Sequence, residues 1–140
     1  MRIKYETTTC SRCHGTRYFA HFSHVEAGRC FRCGGSGTTL TKKGSAAKTI
    51  CMEALTVRAD ALEPGMVIWE TEVLPMSNEV RNRKSVVESI DIAGANIKVT
   101  TGLAVSHMST DTPVQQALTP SNREVARAAL AGIAGVSIED

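Results

Sequence analysis

Two pairs of cysteines constrain this chain more than anything else in it. Cys10-Ser11-Arg12-Cys13 and Cys30-Phe31-Arg32-Cys33 are separated by sixteen residues. Two residues between cysteines let one tight turn carry both thiolates to one ion. Zinc takes four such ligands at the corners of a tetrahedron, with sulfur at about 2.3 Å. The sixteen-residue connection suffices for a β-hairpin that returns the second turn to the first, and the spacing falls in the range of four-cysteine zinc sites. Gly15 and Gly35, one after each pair, suit a knuckle in which backbone amides point at sulfur. So short a segment lacks a hydrophobic core, and metal is what closes it. The expectation is one Zn2+ held by Cys10, Cys13, Cys30 and Cys33.

Other uses of four cysteines stay open. A redox Cys-x-x-Cys pair goes with a βαβ pattern, which is not visible here. An iron–sulfur cluster also takes four cysteines, usually at less even spacing. A mixed site could draw on His14, His21 or His24, although a hairpin surface is the plainer place for His21 and His24. Cys51 stands alone and reads as a small buried residue. Met1-Arg2-Ile3-Lys4-Tyr5-Glu6 is not followed by an apolar signal region, so a secreted disulfide scaffold is disfavoured and a cytoplasmic setting expected. No apolar run reaches 18 residues, so no membrane span is expected.

Charge divides the chain of 140 residues where its total of +2 does not. Residues 1–45 carry eight basic and two acidic side chains, a net of +6, and the rest carry a net of −4. A zinc ion with four thiolates leaves the first module near +4. Three segments follow: a zinc finger over 1–43, a small β-barrel over 46–118, and a helix with a tail over 119–140. Gly34-Gly35-Ser36-Gly37 and Lys42-Lys43-Gly44-Ser45 read as the exit from the finger.

The middle segment is rich in short strands divided by turns, which favours a small barrel of five or six strands. Glu63-Pro64-Gly65 signals a turn into the strand Met66-Val67-Ile68-Trp69. Residues 75–84 read as a polar loop with a basic tip at Arg81, Arg83 and Lys84. From Val86 to Ile92 the pattern puts Val86, Glu88, Ile90 and Ile92 on one face, although Glu88 breaks it. Ala93-Gly94-Ala95-Asn96 turns the chain into Ile97–Thr101, and Leu103–Met108 and Thr112-Pro113-Val114 add two strands. Residues 46–55 are ambiguous and lean towards a strand. Ser121 with Glu124 forms a capping box for a terminal helix with Val125, Ala128, Ala129 and Ile133 on one face. The fold class is mostly β, a small α+β chain.

Cys30-x-x-Cys33-Gly34-Gly35-Ser36-Gly37 matches the Cys-x-x-Cys-x-Gly-x-Gly repeat of the DnaJ-type cysteine-rich zinc finger, and Cys10-x-x-Cys13-His14-Gly15 matches its first six positions. The chain departs at Arg17, where the repeat has glycine. The resemblance covers residues 8–39. It implies a zinc-bound hairpin with half the family's set of repeats, enough for one ion, and no J-domain accompanies it. The string Gly28–Gly37 is also similar to short zinc-finger proteins of phages and plasmids. In the middle segment, Val57–Ile68 resembles the entrance of SH3-like barrels, with Leu62 packed inside, which names a fold and no activity.

Arg12, Arg17, Arg29, Arg32, Lys42 and Lys43 are interleaved with Tyr18, Phe19, Phe22 and Phe31. Basic side chains neutralise phosphates while aromatic faces stack on bases, so nucleic acid is the expected partner. Docking on a larger host protein, such as RNA polymerase or a chaperone, is the alternative. A purely structural clip is the third reading, with the aromatics spent on the finger's own core. No catalytic constellation stands out. His107 with Asp111 is too common a pairing to carry a triad, and Glu70 with Glu72 reads as a solvent face. The protein is expected to be no enzyme.

Overall fold

The computed structural model describes residues 1–140. Its first elements are β1 (Arg2–Lys4), β2 (Thr7–Thr9), β3 (Thr38–Leu40) and α1 (Lys42–Ala54). There follow β4 (Thr56–Arg58), β5 (Val67–Val73), β6 (Val80–Ala93), β7 (Asn96–Thr101), β8 (Val105–Ser109), β9 (Pro113–Gln115), α2 (Arg123–Ala129) and β10 (Ser137–Glu139). The fold is mostly β. Contacts divide it into two compact units, Arg2–Ile50 with Leu130–Asp140, and Cys51–Ala129 with Met1. No helix is long and apolar enough to cross a membrane.

In the second unit β5, β6, β7 and β8 form an antiparallel sheet in that order, which curls into a half-barrel. β4 pairs with β9 beside it. The core is aliphatic: Ala59, Leu62, Ile68, Val87, Ile97, Val99 and Val114 are buried together. Each of its larger side chains contributes about 1.5–3 kcal/mol on leaving water. Glu63-Pro64-Gly65 turns the chain as expected, with Gly65 at φ 93° and the Met66 N–H donating to the Glu63 carbonyl. Leu62 packs inside.

The polar loop expected over 75–84 is shorter, because β6 begins at Val80 and pairs with β5 from Val73↔Val80 to Val67↔Val86. Partnership with β5 satisfies that backbone, and an exposed hairpin arm needs no apolar face to announce it. The face read for residues 86–92 is also corrected. A bulge lies between Val87 and Ser89. Before it Ser85 and Val87 are buried; beyond it Ile90 is half-buried, while Val86 and Ile92 are exposed. One extra residue exchanges the two sides of a strand, which is why the alternation looked broken.

Residues 46–54 are helical rather than extended. Thr41 caps α1: its Oγ1 accepts the Gly44 N–H at 3.0 Å and its hydroxyl donates to Glu6 Oε1 at 2.7 Å. Lys42-Lys43-Gly44-Ser45 is therefore the first turn of a helix. Gly44, Ala47, Cys51 and, just beyond the helix, Leu55 are buried at helical spacing. Gly44 owes its place to close approach, since a Cβ there would lie 2.1 Å from the Glu6 carbonyl oxygen. The cap of the terminal helix is likewise displaced, from Ser121 to Thr119. The Thr119 N–H donates to Asn122 Oδ1 at 2.8 Å, and Pro120 fills the first turn. Val125 and Ala128 are consequently exposed, while Ala126 and Leu130 are buried. The last residues return to the first unit as β10, antiparallel to β1, where Arg2 and Lys4 share the Glu139 carboxylate.

Candidate metal centre and its surface

β2 enters the first knuckle and β3 leaves the second, and the two strands pair from Thr7↔Leu40 to Thr9↔Thr38. The knuckles then exchange the same bond. The Cys10 N–H donates to the Gly37 carbonyl and the Cys30 N–H to the Arg17 carbonyl, both at 2.9 Å. Their internal structure repeats as well. The Thr16 hydroxyl donates to the Cys13 carbonyl at 2.6 Å, as the Ser36 hydroxyl does to that of Cys33 at 2.8 Å. His14 and Gly34, Gly15 and Gly35, and Arg17 and Gly37 all have positive φ. Arg17, at φ 72°, thus keeps the backbone of Gly37, at φ 80°. That conformation costs an L-residue roughly 1–2 kcal/mol.

This repetition brings four sulfurs within 4.8 Å of one another. Cys10 Sγ lies 3.9 Å from Cys30 Sγ, and Cys13 Sγ lies 3.7 Å from Cys33 Sγ. Sulfurs held about 2.3 Å from a central tetrahedral ion are about 3.8 Å apart, so the set fits one ion of zinc's size and softness. These separations are far beyond the S–S bond of a disulfide, and all five cysteines are free. A multi-iron cluster sets iron and sulfide between its cysteines and spreads them wider. Cys10, Cys13 and Cys30 are buried and Cys33 half-buried, with Phe19 packed against them.

Backbone amides prepare the sulfurs for metal. The Gly37 N–H donates to Cys33 Sγ at 3.3 Å. Burial pushes the Cys33 thiol up, but the Gly37 and Gly35 amides outweigh it and leave it at about 6. The Cys13 amide draws Cys10 down against its burial. Cys13 moves the other way, raised chiefly by burial. A bound cation would hold all four as thiolates.

The connection between the pairs is less regular than a full hairpin. Its ends are joined by a single bridge, Tyr18↔Arg29, and by the Phe19 N–H donating to the Gly28 carbonyl at 2.8 Å. Two short 3-10 turns, Ala20–Phe22 and Glu26–Gly28, fill the rest. Gly28 permits the closure, because a Cβ there would meet the Phe19 carbonyl oxygen at 2.5 Å.

Of the finger's aromatics, only Phe19 packs behind the cysteines. Phe31, Tyr18 and Phe22 are 57 %, 54 % and 48 % exposed. The Arg12 guanidinium lies over both Phe31 and Phe19, 5.4 and 5.9 Å from their centroids. Arg17 lies along Gly37, and Arg29 along Gly35 near the Tyr18 hydroxyl. Arg32, Lys42 and Lys43 are exposed. No carboxylate lies within ion-pair distance of Arg12, Arg17, Arg29 or Arg32.

The second unit's candidates resolve differently. Arg81 pairs with Glu79, Arg83 with Glu72, and Lys84 lies 5.2 Å from the Trp69 ring centroid. The basic tip is therefore a strand of partnered charges. Glu70 is not on a solvent face: it is half-buried and accepts hydrogen bonds from the hydroxyls of Ser85 and Thr101, both buried. Sequence reasoning misses this trio because hydroxyls on separate strands carry no local signal. It also misses Thr16 and Ser36, although their shared place in the twenty-residue repeat is a signal that could find them. His107 sits exposed on β8, opposite Lys98.

Compared with protein families, curated proteins and solved structures, the chain matches none.

Proposed function

We propose that the first unit is a one-zinc finger built on two DnaJ-type repeats, and that it contacts nucleic acid through Arg12, Arg17, Arg29, Arg32, Tyr18 and Phe31. Zinc, when bound, supplies rigidity and no chemistry, and the module is a binding element rather than an enzyme. The matching positive-φ positions of the two knuckles favour the DnaJ-type reading. The observation that carries the partner is the set of four unpaired arginines among exposed aromatic rings. A surface that neutralises phosphates and stacks on bases carries arginines without acidic partners beside exposed rings, as Arg12 lies over Phe31 here. Lys42 and Lys43 extend the charge.

A titration of the zinc-loaded chain with single-stranded oligonucleotide over a range of salt tests this. Four phosphate contacts predict a slope of log K against log salt of about −3. Reversing charge at Arg12 and Arg32 should flatten it. A flat salt response and indifference to those changes would sink the proposal.

The exposed Tyr18, Phe22, Val25 and Phe31 also support a second reading, docking on a larger protein, because aromatics and arginine anchor such interfaces. That reading predicts a stoichiometric protein complex with weak salt dependence.

A further inference from the structure

The half-barrel is open between its two edge strands, β5 and β8. A cleft of about 430 Å³ lies there, bordered by β5, the turn at Leu103 and Ala104, Ser106 and Met108 of β8, and residues 112–115. Every residue from Ile68 to Glu72 borders it. Successive residues of a strand point to opposite faces, so an unbroken run means that the strand's backbone edge forms the wall. On that side β5 is bridged only near its start, by Ile68↔Gln116 and by the Ala117 N–H donating to the Val67 carbonyl. From Trp69 onward it is hydrogen-bonded to β6 on one flank, while on the other β9 borders the cleft without forming a ladder with it. An open edge is a template for another strand.

The cleft also has a charge. No lysine or arginine borders it, whereas Glu70 and Glu72 do. Glu72 is already paired with Arg83. Glu70 is not paired with a cation: Ser85 and Thr101 both donate to its Oε2, and its Oε1 accepts no hydrogen bond from the protein. Thr101 is itself fixed, taking the amides of Leu103 and Ala104. Two hydroxyls therefore orient a half-buried carboxylate and leave one oxygen for a cationic donor.

We propose that this cleft is a peptide-docking site. An extended segment of a partner protein adds to the edge of β5 and places one arginine side chain against Glu70. Backbone bonds to β5 give affinity, and the charge-assisted bond to Glu70 selects the side chain. The cleft is lined by residues of the second unit alone and needs neither metal nor nucleic acid.

The test is calorimetric titration of the zinc-loaded full chain with the capped peptide Thr-Val-Arg-Val-Thr. Two controls accompany it: the same peptide with citrulline for arginine, and one with both valine nitrogens methylated. The expected result is saturable binding, weakened about tenfold or more by citrulline and by Glu70→Gln, the loss of one charge-assisted bond. Gln is isosteric and still accepts from Ser85 and Thr101, so unchanged thermal unfolding of E70Q keeps the comparison fair. Methylation should abolish binding. No saturation at about 1 mM peptide, a free affinity far below any specific docking, overturns the proposal. Equal binding by E70Q overturns the role of Glu70, and undiminished binding of the methylated peptide overturns strand addition. Self-association of the chain that competes with peptide and is lost in E70Q would assign the cleft to a second copy instead.

Discussion

The two units organise their interiors in opposite ways, and their arginines record the difference. In the second unit seven aliphatic and small side chains form the core. Arg58, Arg81, Arg83 and Arg127 each pair with a carboxylate, on Asp60, Glu79, Glu72 and Glu124. In the first unit the interior of the finger is three buried cysteines with Phe19 and Cys33 against them. Its four knuckle arginines have no acidic partner, and three of its aromatic rings face water. The second unit closes its core with aliphatic side chains alone, and its one aromatic ring, Trp69, is 41 % exposed. The finger has no such aliphatic core, and its buried interior is the cysteine cluster. A cation bound by the four cysteines would close the finger without drawing on the rings that remain exposed.

The strongest way to break this contrast is to take the metal away. Chelation removes an ion whose binding contributes on the order of 10 kcal/mol. Amide exchange should lose all protection at Cys10, Phe19 and Cys30, while Val87, Ile97 and Val99 keep theirs. Cys13→Ser should act in the same direction. Collapse of both regions together would erase the distinction. The reciprocal change, Ile97→Ala in the aliphatic core, should cost about 2–5 kcal/mol in global unfolding. It should leave one metal per chain by elemental analysis.

Gly44→Ala gives a smaller effect whose sign is informative. Alanine favours a helix interior by about 1 kcal/mol over glycine. Here its Cβ would strike the Glu6 carbonyl oxygen, so denaturant unfolding should show a loss of stability instead. The smallest effect is expected at Arg17. Arg17→Gly relieves a positive φ and should shift finger stability by no more than about 1 kcal/mol, towards stabilisation. The same variant should reduce the salt dependence of oligonucleotide binding by roughly 0.7, the share of one phosphate on a single strand. Arg17→Gly with unaltered binding would separate that residue from the proposed surface.

Much of the finger is legible in the amino-acid sequence because its signals are local. The Cys-x-x-Cys spacing is short enough for covalent geometry to settle, and the four residues it nominates are the four whose sulfurs converge. Glycine at 15, 35 and 37 marks backbone that other residues resist, and Arg17 shows that the geometry survives without one of them. The turns at Pro64-Gly65 and Gly94 are legible for the same reason. The first helix is not. Its cap depends on Thr41, and its glycine on Glu6, thirty-eight residues earlier in the chain. The bulge after Val87 and the inward position of Glu70 are set by neighbours on other strands.

By itself, then, the sequence determined where a cation could be gripped, where the chain would turn at Pro64-Gly65 and Gly94, and where charge would gather. Each rests on residues within a few positions of one another. Only the tertiary structure decided which rings stay in water, which arginines keep their charge unmatched, and that a carboxylate borders an open sheet edge. Those outcomes depend on which distant strands become neighbours, and burial and pairing are properties of neighbours in space.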